Sequence, residues 1–246
     1  MQDGINVEQG GAMKRSILVI GHPRCGSGYM AKLISSFGLD VGHEKGTCVD
    51  GISSWAFAVE HEPGVFDVPG WGRGAPGRES YLDFDYVIHH VRNPLDALPS
   101  ICHNEVCFVS PEEGPERWEY RGSFLYRYAY IYKVLGKQID LGCSLLEVAI
   151  ESFLYWNEVV RLNSPHLTVR VEDCEGSVAS FLGEVGLVGE SESAPFADKT
   201  YNSMKNQRAP LTLQSYSEVR MPLLRALDRF CNDYGYPSLF KQLQSL

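Results

Sequence analysis

The run Ser16-Ile17-Leu18-Val19-Ile20-Gly21 is apolar, rich in β-branched residues, and ends abruptly in His22-Pro23-Arg24-Cys25-Gly26-Ser27-Gly28. A strand that is apolar on both faces belongs inside a sheet covered on both sides, which is the signature of a parallel sheet. Beyond the glycines, Tyr29, Met30, Leu33, Ile34 and Phe37 recur at helical spacing, and Gly38 supplies a C-terminal stop. Strand, glycine loop and helix are therefore consecutive. Such a strand needs neighbours on both edges and helices over both faces, so the rest of the chain has to supply them.

It does so in alternation. Leu39–Glu44 reads as a second short strand and Tyr86-Val87-Ile88-His89-His90-Val91 as another buried one. Arg92-Asn93-Pro94 ends the latter, with proline placed to open a helix near Leu95. Helices are predicted over 123–138, where Phe124, Tyr128, Ile131 and Leu135 share a face, and over 144–162, where Leu146, Ile150, Phe153 and Val160 do. The alternating Tyr126, Tyr128, Tyr130 and Tyr132 leave a strand open as the alternative for the first of these. A strand at 167–171, a helix at 175–186 and a final helix at 215–234 complete the pattern. The expected class is α/β, a parallel sheet flanked by helices with a P-loop-like strand–loop–helix near its start. Residues 1–15 read as a disordered leader and 16–246 as a single domain. The Gly- and Pro-rich stretch over 62–80 reads as surface loop, a lid or a substrate wall.

Composition narrows the functional classes. With 22 Lys and Arg against 31 Asp and Glu the net charge is −9, which argues against a general nucleic-acid or anionic-membrane binder, so an anionic ligand must meet a local basic pocket. The seven cysteines lie scattered with no C-x-x-C pair, unlike a disulfide framework or a zinc site. No apolar run is long enough for a membrane span, and MQDGINVEQGGA has no apolar signal core. A soluble protein in a reducing cytoplasm is the expectation, with no metal site.

Gly21-x4-Gly26 has the glycine spacing of a P-loop, which leaves backbone N–H groups uncovered around an anion at a helix N-terminus. A nucleoside-triphosphatase loop continues with Lys-Ser/Thr for the phosphates and Mg²⁺. Here Ser27-Gly28 stand in those places and the cation, Arg24, has moved inside the loop. The order Pro-Arg-x-Gly-Ser resembles the 5′-phosphosulfate-binding loop of the sulfotransferases, which take a sulfuryl group from 3′-phosphoadenosine 5′-phosphosulfate (PAPS) and release 3′-phosphoadenosine 5′-phosphate (PAP). Arg92-Asn93-Pro94-x-Asp96-x-x-x-Ser100 is similar to the same family's 3′-phosphate motif, in which the arginine and the serine both touch the ribose phosphate. Bidentate phosphate binding by Arg92 suits that part, and Asp96 is expected to be structural, at a helix start.

Softer likenesses follow. Val169-Arg170-Val171-Glu172-Asp173 resembles the family's Tyr-Glu-Asp segment with Val171 in place of the tyrosine, so an adenine contact does not carry over. Asn206-Gln207-Arg208-Ala209-Pro210-Leu211-Thr212 is similar to its late basic loop. The resemblance thus implies a donor site made of Arg24, Cys25, Gly26, Ser27, Gly28 and Tyr29 with Arg92, Ser100 and Arg208. Tyr29 is either a ring stacked on adenine or a core residue, and Arg208 either closes on the 3′-phosphate or is a surface charge.

The acceptor of such a transfer is a hydroxyl, less readily an amine, on a small molecule or glycan, and it must lose a proton to a base. The family supplies a histidine or a glutamate. Glu44, at the end of the second strand, is the first candidate and His43 the second; Glu44 as a plain strand-end carboxylate is the alternative. His89 and His90 fall inside a strand, so one is expected to be packed and hydrogen-bonded and the other to face the opposite side. Trp55, Phe57, Trp71 and the tyrosines of 120–132 either line an acceptor pocket or form core. Two rival functions stay open: a divergent P-loop kinase using ATP and Mg²⁺, which the missing lysine and Arg92 count against, and a nucleotide binder without turnover.

Overall fold

The computed structural model describes residues 15–44, 47–59, 84–103, 118–189 and 211–245. Five strands form one sheet in which every pairing is parallel. They are β1 (Arg15–Ile20), β2 (Val41–His43), β3 (Gly51–Ser53), β4 (Phe84–Val91) and β5 (Leu167–Arg170), arranged β2-β3-β1-β4-β5. Among the described residues eight helices accompany them: α1 (Ser27–Ser35), α2 (Pro94–Ile101), α3 (Trp118–Leu135), α4 (Leu145–Arg161), α5 (Glu175–Glu184), α6 (Leu213–Ser217), α7 (Met221–Asp233) and α8 (Leu239–Leu243). A 3-10 turn, Trp55–Ala58, follows β3.

The apolar residues of β1 part to the two faces as the pleat requires. Ile17 and Val19 pack under α1 and α5 with Met30, Leu33, Ile34, Val178 and Leu182, whereas Leu18 and Ile20 meet the larger core with α2, α4, α7 and α8. Helices on both faces of a parallel sheet make this an α/β fold. Among the described residues no helix is long and apolar enough to cross a membrane, and no cysteine there is in a disulfide.

Local chemistry explains most boundaries. Gly38 adopts φ 91° just after α1, the left-handed turn that glycine takes without penalty. Asn93 caps α2 by accepting from the Leu95 amide at 3.1 Å, with Pro94 at the first helical position. Ser144 caps α4 by accepting from the Glu147 amide.

The structure corrects the sequence reading in three places. β1 begins at Arg15, not after the leader, and that buried side chain donates from Nε to the Cys48 carbonyl at 2.9 Å. β3 is an added strand. Its Gly51 is required, since a Cβ there would stand 2.4 Å from the Ile17 carbonyl oxygen. By contrast, the tyrosines of 126–132 lie on a helix, as the spacing over 123–138 predicts. The expected helix over 215–234 is two helices broken at Arg220, because Pro222 opens α7. The stretch over 62–80 and residues 1–14 lie outside the described residues.

Candidate functional site

The registers Ile20↔His89, Val19↔Ser53, His43↔Ser53 and Val91↔Arg170 align the carboxyl ends of all five strands on one edge. Everything that leaves this edge meets there: the loop 21–26, Glu44, Ser54, Arg92 and Val171. β1 sits between β3 and β4, so the chain runs one way from it and later the other, and in open α/β sheets ligands collect at such a reversal.

The loop is fixed from below. Trp156 Nε1 donates to the Gly21 carbonyl at 3.2 Å. His90 lies against Gly21 so closely that a Cβ at that position would be 1.9 Å from its Nδ1, which makes glycine obligatory. His22 Nδ1 meets the Pro23 carbonyl at 2.6 Å. A carbonyl only accepts, so Nδ1 carries the proton and Nε2 accepts from Ser152 Oγ at 3.1 Å. Ser152 in turn accepts from Arg127 Nη2 at 3.2 Å. Burial, then the Arg127 charge, holds His22 well below the ordinary histidine range. Arg127 is itself only 1% exposed and lies 5.6 to 5.9 Å from the rings of Trp55, Tyr128 and Trp156.

The upper part of the loop takes left-handed backbone twice, at Arg24 (φ 71°) and Gly26 (φ 107°). A non-glycine residue held there is strain of the kind that accumulates at functional sites. No side chain caps α1, and its first intrahelical bond runs from Met30 N to Gly26 O. The amides of Ser27, Gly28 and Tyr29 therefore head the helix with its positive dipole end.

Both basic turns converge. Arg24 Nε donates to Ser100 Oγ at 3.1 Å, and Arg92 Nη1 donates to the Arg24 carbonyl at 3.3 Å. Ser100, two turns into α2, is 2% exposed and faces back toward the loop. Asp96 stands in the first turn of α2, its carboxyl raised by burial more than the Arg92 charge lowers it.

On the other flank, Ser27 Oγ and His43 Nε2 are 2.9 Å apart, and Ser53 Oγ donates to the Ser27 carbonyl at 2.8 Å. Glu44, left-handed at φ 54°, accepts from Ser54 Oγ at 2.6 Å. Its Oε1 lies 4.0 Å from His43 Nε2. The serine and the carboxylate thus share one ring nitrogen, which is not the arrangement of a hydrolase triad. Burial pushes the Glu44 carboxyl up to about 7 against the lowering effect of the Ser54 hydroxyl and the Trp55 amide.

Of the residues singled out from sequence, Arg24, Arg92 and Ser100 form one bonded group and Ser27, His43 and Glu44 another, on the two flanks of the loop, with Gly26 and Gly28 at the head of α1. Cys25 is buried and its amide donates to the His22 carbonyl. Tyr29 is 4% exposed, packs between α1 and α5, and donates its hydroxyl to Glu175 Oε1 at 2.7 Å, which is the core reading. Trp55 and Phe57 are likewise core rather than pocket wall. His89 is the packed, bonded histidine, with Nε2 3.0 Å from Asn157 Oδ1, and His90 faces the opposite side. Arg208 and Trp71 lie outside the described residues.

Sequence reasoning missed Ser53, Ser54, Ser152 and Arg127, each placed by a contact distant along the chain. It named Glu172 without a role; the carboxylate accepts from the Asn93 amide at 2.8 Å and from the Tyr236 hydroxyl at 2.8 Å. Among the described residues no group of three or more His, Cys, Asp or Glu is placed to hold a metal ion. The chain matches no protein-family model, no curated protein and no solved structure, so its function has to be argued from this cluster alone.

Proposed function

We propose that this protein is a PAPS-dependent sulfotransferase acting on a hydroxyl, less readily an amine, of a small molecule or glycan. The observation that carries the reading is the meeting of two arginines from separate strand–helix turns, Arg24 donating to Ser100 and Arg92 to the Arg24 carbonyl, at the carboxyl edge of a parallel sheet. Two cations side by side in an acidic protein suit a ligand with two anionic groups.

In this reading the amides at the head of α1, with Ser27 and Arg24, hold the 5′-phosphosulfate, and Arg92 with Ser100 holds the 3′-phosphate. Glu44 takes the proton of the acceptor hydroxyl as the acceptor oxygen bonds to sulfur. The bond from sulfur to the bridging oxygen breaks, and PAP leaves with the electron pair. Arg24 and the amide dipoles stabilise that charge where it appears, which is worth most when the groups are already fixed. Arg24 is fixed by Ser100 and by its own strained backbone. A carboxyl near 7 is matched to taking a proton at neutral pH. An arginine at the end of β4, where an Mg²⁺-dependent P-loop enzyme places an acid, favours this reading over a kinase.

Calorimetric titration with PAP, adenosine 5′-phosphosulfate and ATP with Mg²⁺ tests it. PAP is expected to bind in preference, and Arg92→Ala to weaken PAP by about ten- to a hundredfold, the scale of one charge-assisted hydrogen-bonded contact. The ligand lacking the 3′-phosphate should be little affected. Preference for ATP with Mg²⁺, or equal losses for both ligands, would overturn the assignment. PAP binding without transfer from PAPS to any acceptor would leave a nucleotide binder.

A further inference from the structure

Arg92 is one residue from Asn93, and Asn93 is held with unusual completeness. Its Oδ1 accepts from Leu95 N, its amide donates to Glu172 Oε1 at 2.8 Å, and its Nδ2 donates to Gln242 Oε1 at 2.8 Å. Two of these three partners lie outside the turn itself. Glu172 follows β5, and Gln242 lies on α8.

The partners are themselves fixed. Gln242 Nε2 donates to the Pro237 carbonyl at 2.6 Å, so the amide can offer only its oxygen to Asn93. The second oxygen of Glu172 accepts from the Tyr236 hydroxyl at 2.8 Å. Tyr236 is 8% exposed, with the Arg170 guanidinium 5.5 Å from its ring centre. That guanidinium also donates to the Gly235 carbonyl at 2.8 Å and pairs with Asp173. Asp228 Oδ1, on α7, accepts from both Ser238 Oγ and Leu239 N at 2.7 Å, and Leu239 is fully buried. The segment joining α7 to α8 is thus one hydrogen-bonded unit. It reaches the start of α2 by two independent routes, Tyr236 through Glu172 and Gln242 directly.

Resting on the donor-site reading above, we infer that Tyr236, Glu172 and Gln242 are positioning residues for the 3′-phosphate: they brace Asn93 and so fix where the Arg92 guanidinium stands. Bidentate phosphate recognition depends on the placement of that planar fork, which a side chain on a three-methylene lever keeps only if its backbone is immobile. The Arg24 side needs no such brace, because the loop 21–26 is held by Trp156, His90 and Ser100. The α7–α8 unit therefore governs discrimination for the 3′-phosphate and leaves the 5′ side alone.

The test is calorimetric affinity for PAP and for adenosine 5′-phosphosulfate in Gln242→Ala and Tyr236→Phe, each alone and combined with Arg92→Ala. Gln242 is half-exposed, and Tyr236→Phe keeps the ring, so both variants retain the fold, which a thermal melt of the same samples verifies. Gln242→Ala should weaken PAP about tenfold and Tyr236→Phe several-fold, with adenosine 5′-phosphosulfate unchanged, and neither should weaken PAP further once Arg92 is alanine. A merely structural role would lower the melting temperature and weaken both ligands alike. Equal losses, no loss, or full effects persisting in the Arg92→Ala background overturn the brace while PAP binding by the unsubstituted protein stands. Failure of the unsubstituted protein to bind PAP overturns the donor-site reading and the brace with it.

Discussion

His90 makes the acid sensitivity of this fold calculable. The ring is 1% exposed, neither nitrogen has a hydrogen-bond partner, and burial, then the neighbouring His89 and His43, drives it from 6.5 down to about 3. A histidine whose folded value is depressed contributes stability that is complete above its unfolded value near 6.5 and is lost as pH falls below it. Between those limits the unfolded chain takes up a proton that the folded protein refuses. At pH 5 the unfolded ring is 1.5 below its unfolded value and the folded ring is still neutral, so this one residue costs about 2 kcal/mol relative to pH 7.5. Other groups titrate in the same range, among them His89, also lowered, and Glu44, which is raised and opposes it. Comparison with His90→Leu isolates the one contribution. Urea unfolding of both proteins at pH 7.5 and 5.0 should show the variant losing about 2 kcal/mol less stability over that interval. The readout is a slope, so any repacking cost of the leucine against Gly21 cancels. Identical slopes in the two proteins would refute the reasoning, because a ring that protonates freely in the folded state is not buried as described.

Two further outcomes are expected. On the proposed mechanism, sulfuryl transfer should climb with pH through about 7 and level off above it, since a base at Glu44 would act only once its raised carboxyl has lost its proton; a flat rate from pH 6 to 8, or full activity in Glu44→Gln, would move the proton to another group. Gly26→Ala should lower stability through two separable causes, the φ of 107° and a Cβ 2.9 Å from Val171 Cγ1. Adding Val171→Ala should relieve only the second, leaving a deficit of about 1–2 kcal/mol from the left-handed backbone in a denaturation experiment.

Residues whose role is set by their immediate neighbours were legible in the sequence. Ile17 to Ile20, Val87 to Val91 and the punctuation by Gly21, Gly38, Asn93 and Pro94 each act within a few positions, so β1, α1, β4 and α2 fall close to where the pattern puts them. Arg24, Arg92 and Ser100 were legible as candidates through the two basic turns that carry them, whereas the bond from Arg24 to Ser100, across 76 positions, was not. β3 escaped because three residues carry no periodicity, and Gly51 is explained only by the Ile17 carbonyl of another strand. Tyr29 was open between ligand and core because a ring at a helix start fits both, and what decides it is Glu175, on a different helix. The break before α7 is signalled locally by Pro222, at the second helical position. His22, Ser152 and Arg127 had no such signal, since residues 22 and 152 are 130 positions apart.

The strand order has a consequence for how the chain reaches this state. No two sheet neighbours are joined by a hairpin, and β1, which leaves the ribosome before the other four strands of this sheet, gains its β4 partner only after residues 21–83 have been synthesised. Such pairings of high sequence separation close long loops before they return any contact, which slows folding relative to chains built from local contacts. Until β4 arrives, one edge of this fully buried apolar strand is bare, so the nascent chain during that interval is the form most exposed to aggregation.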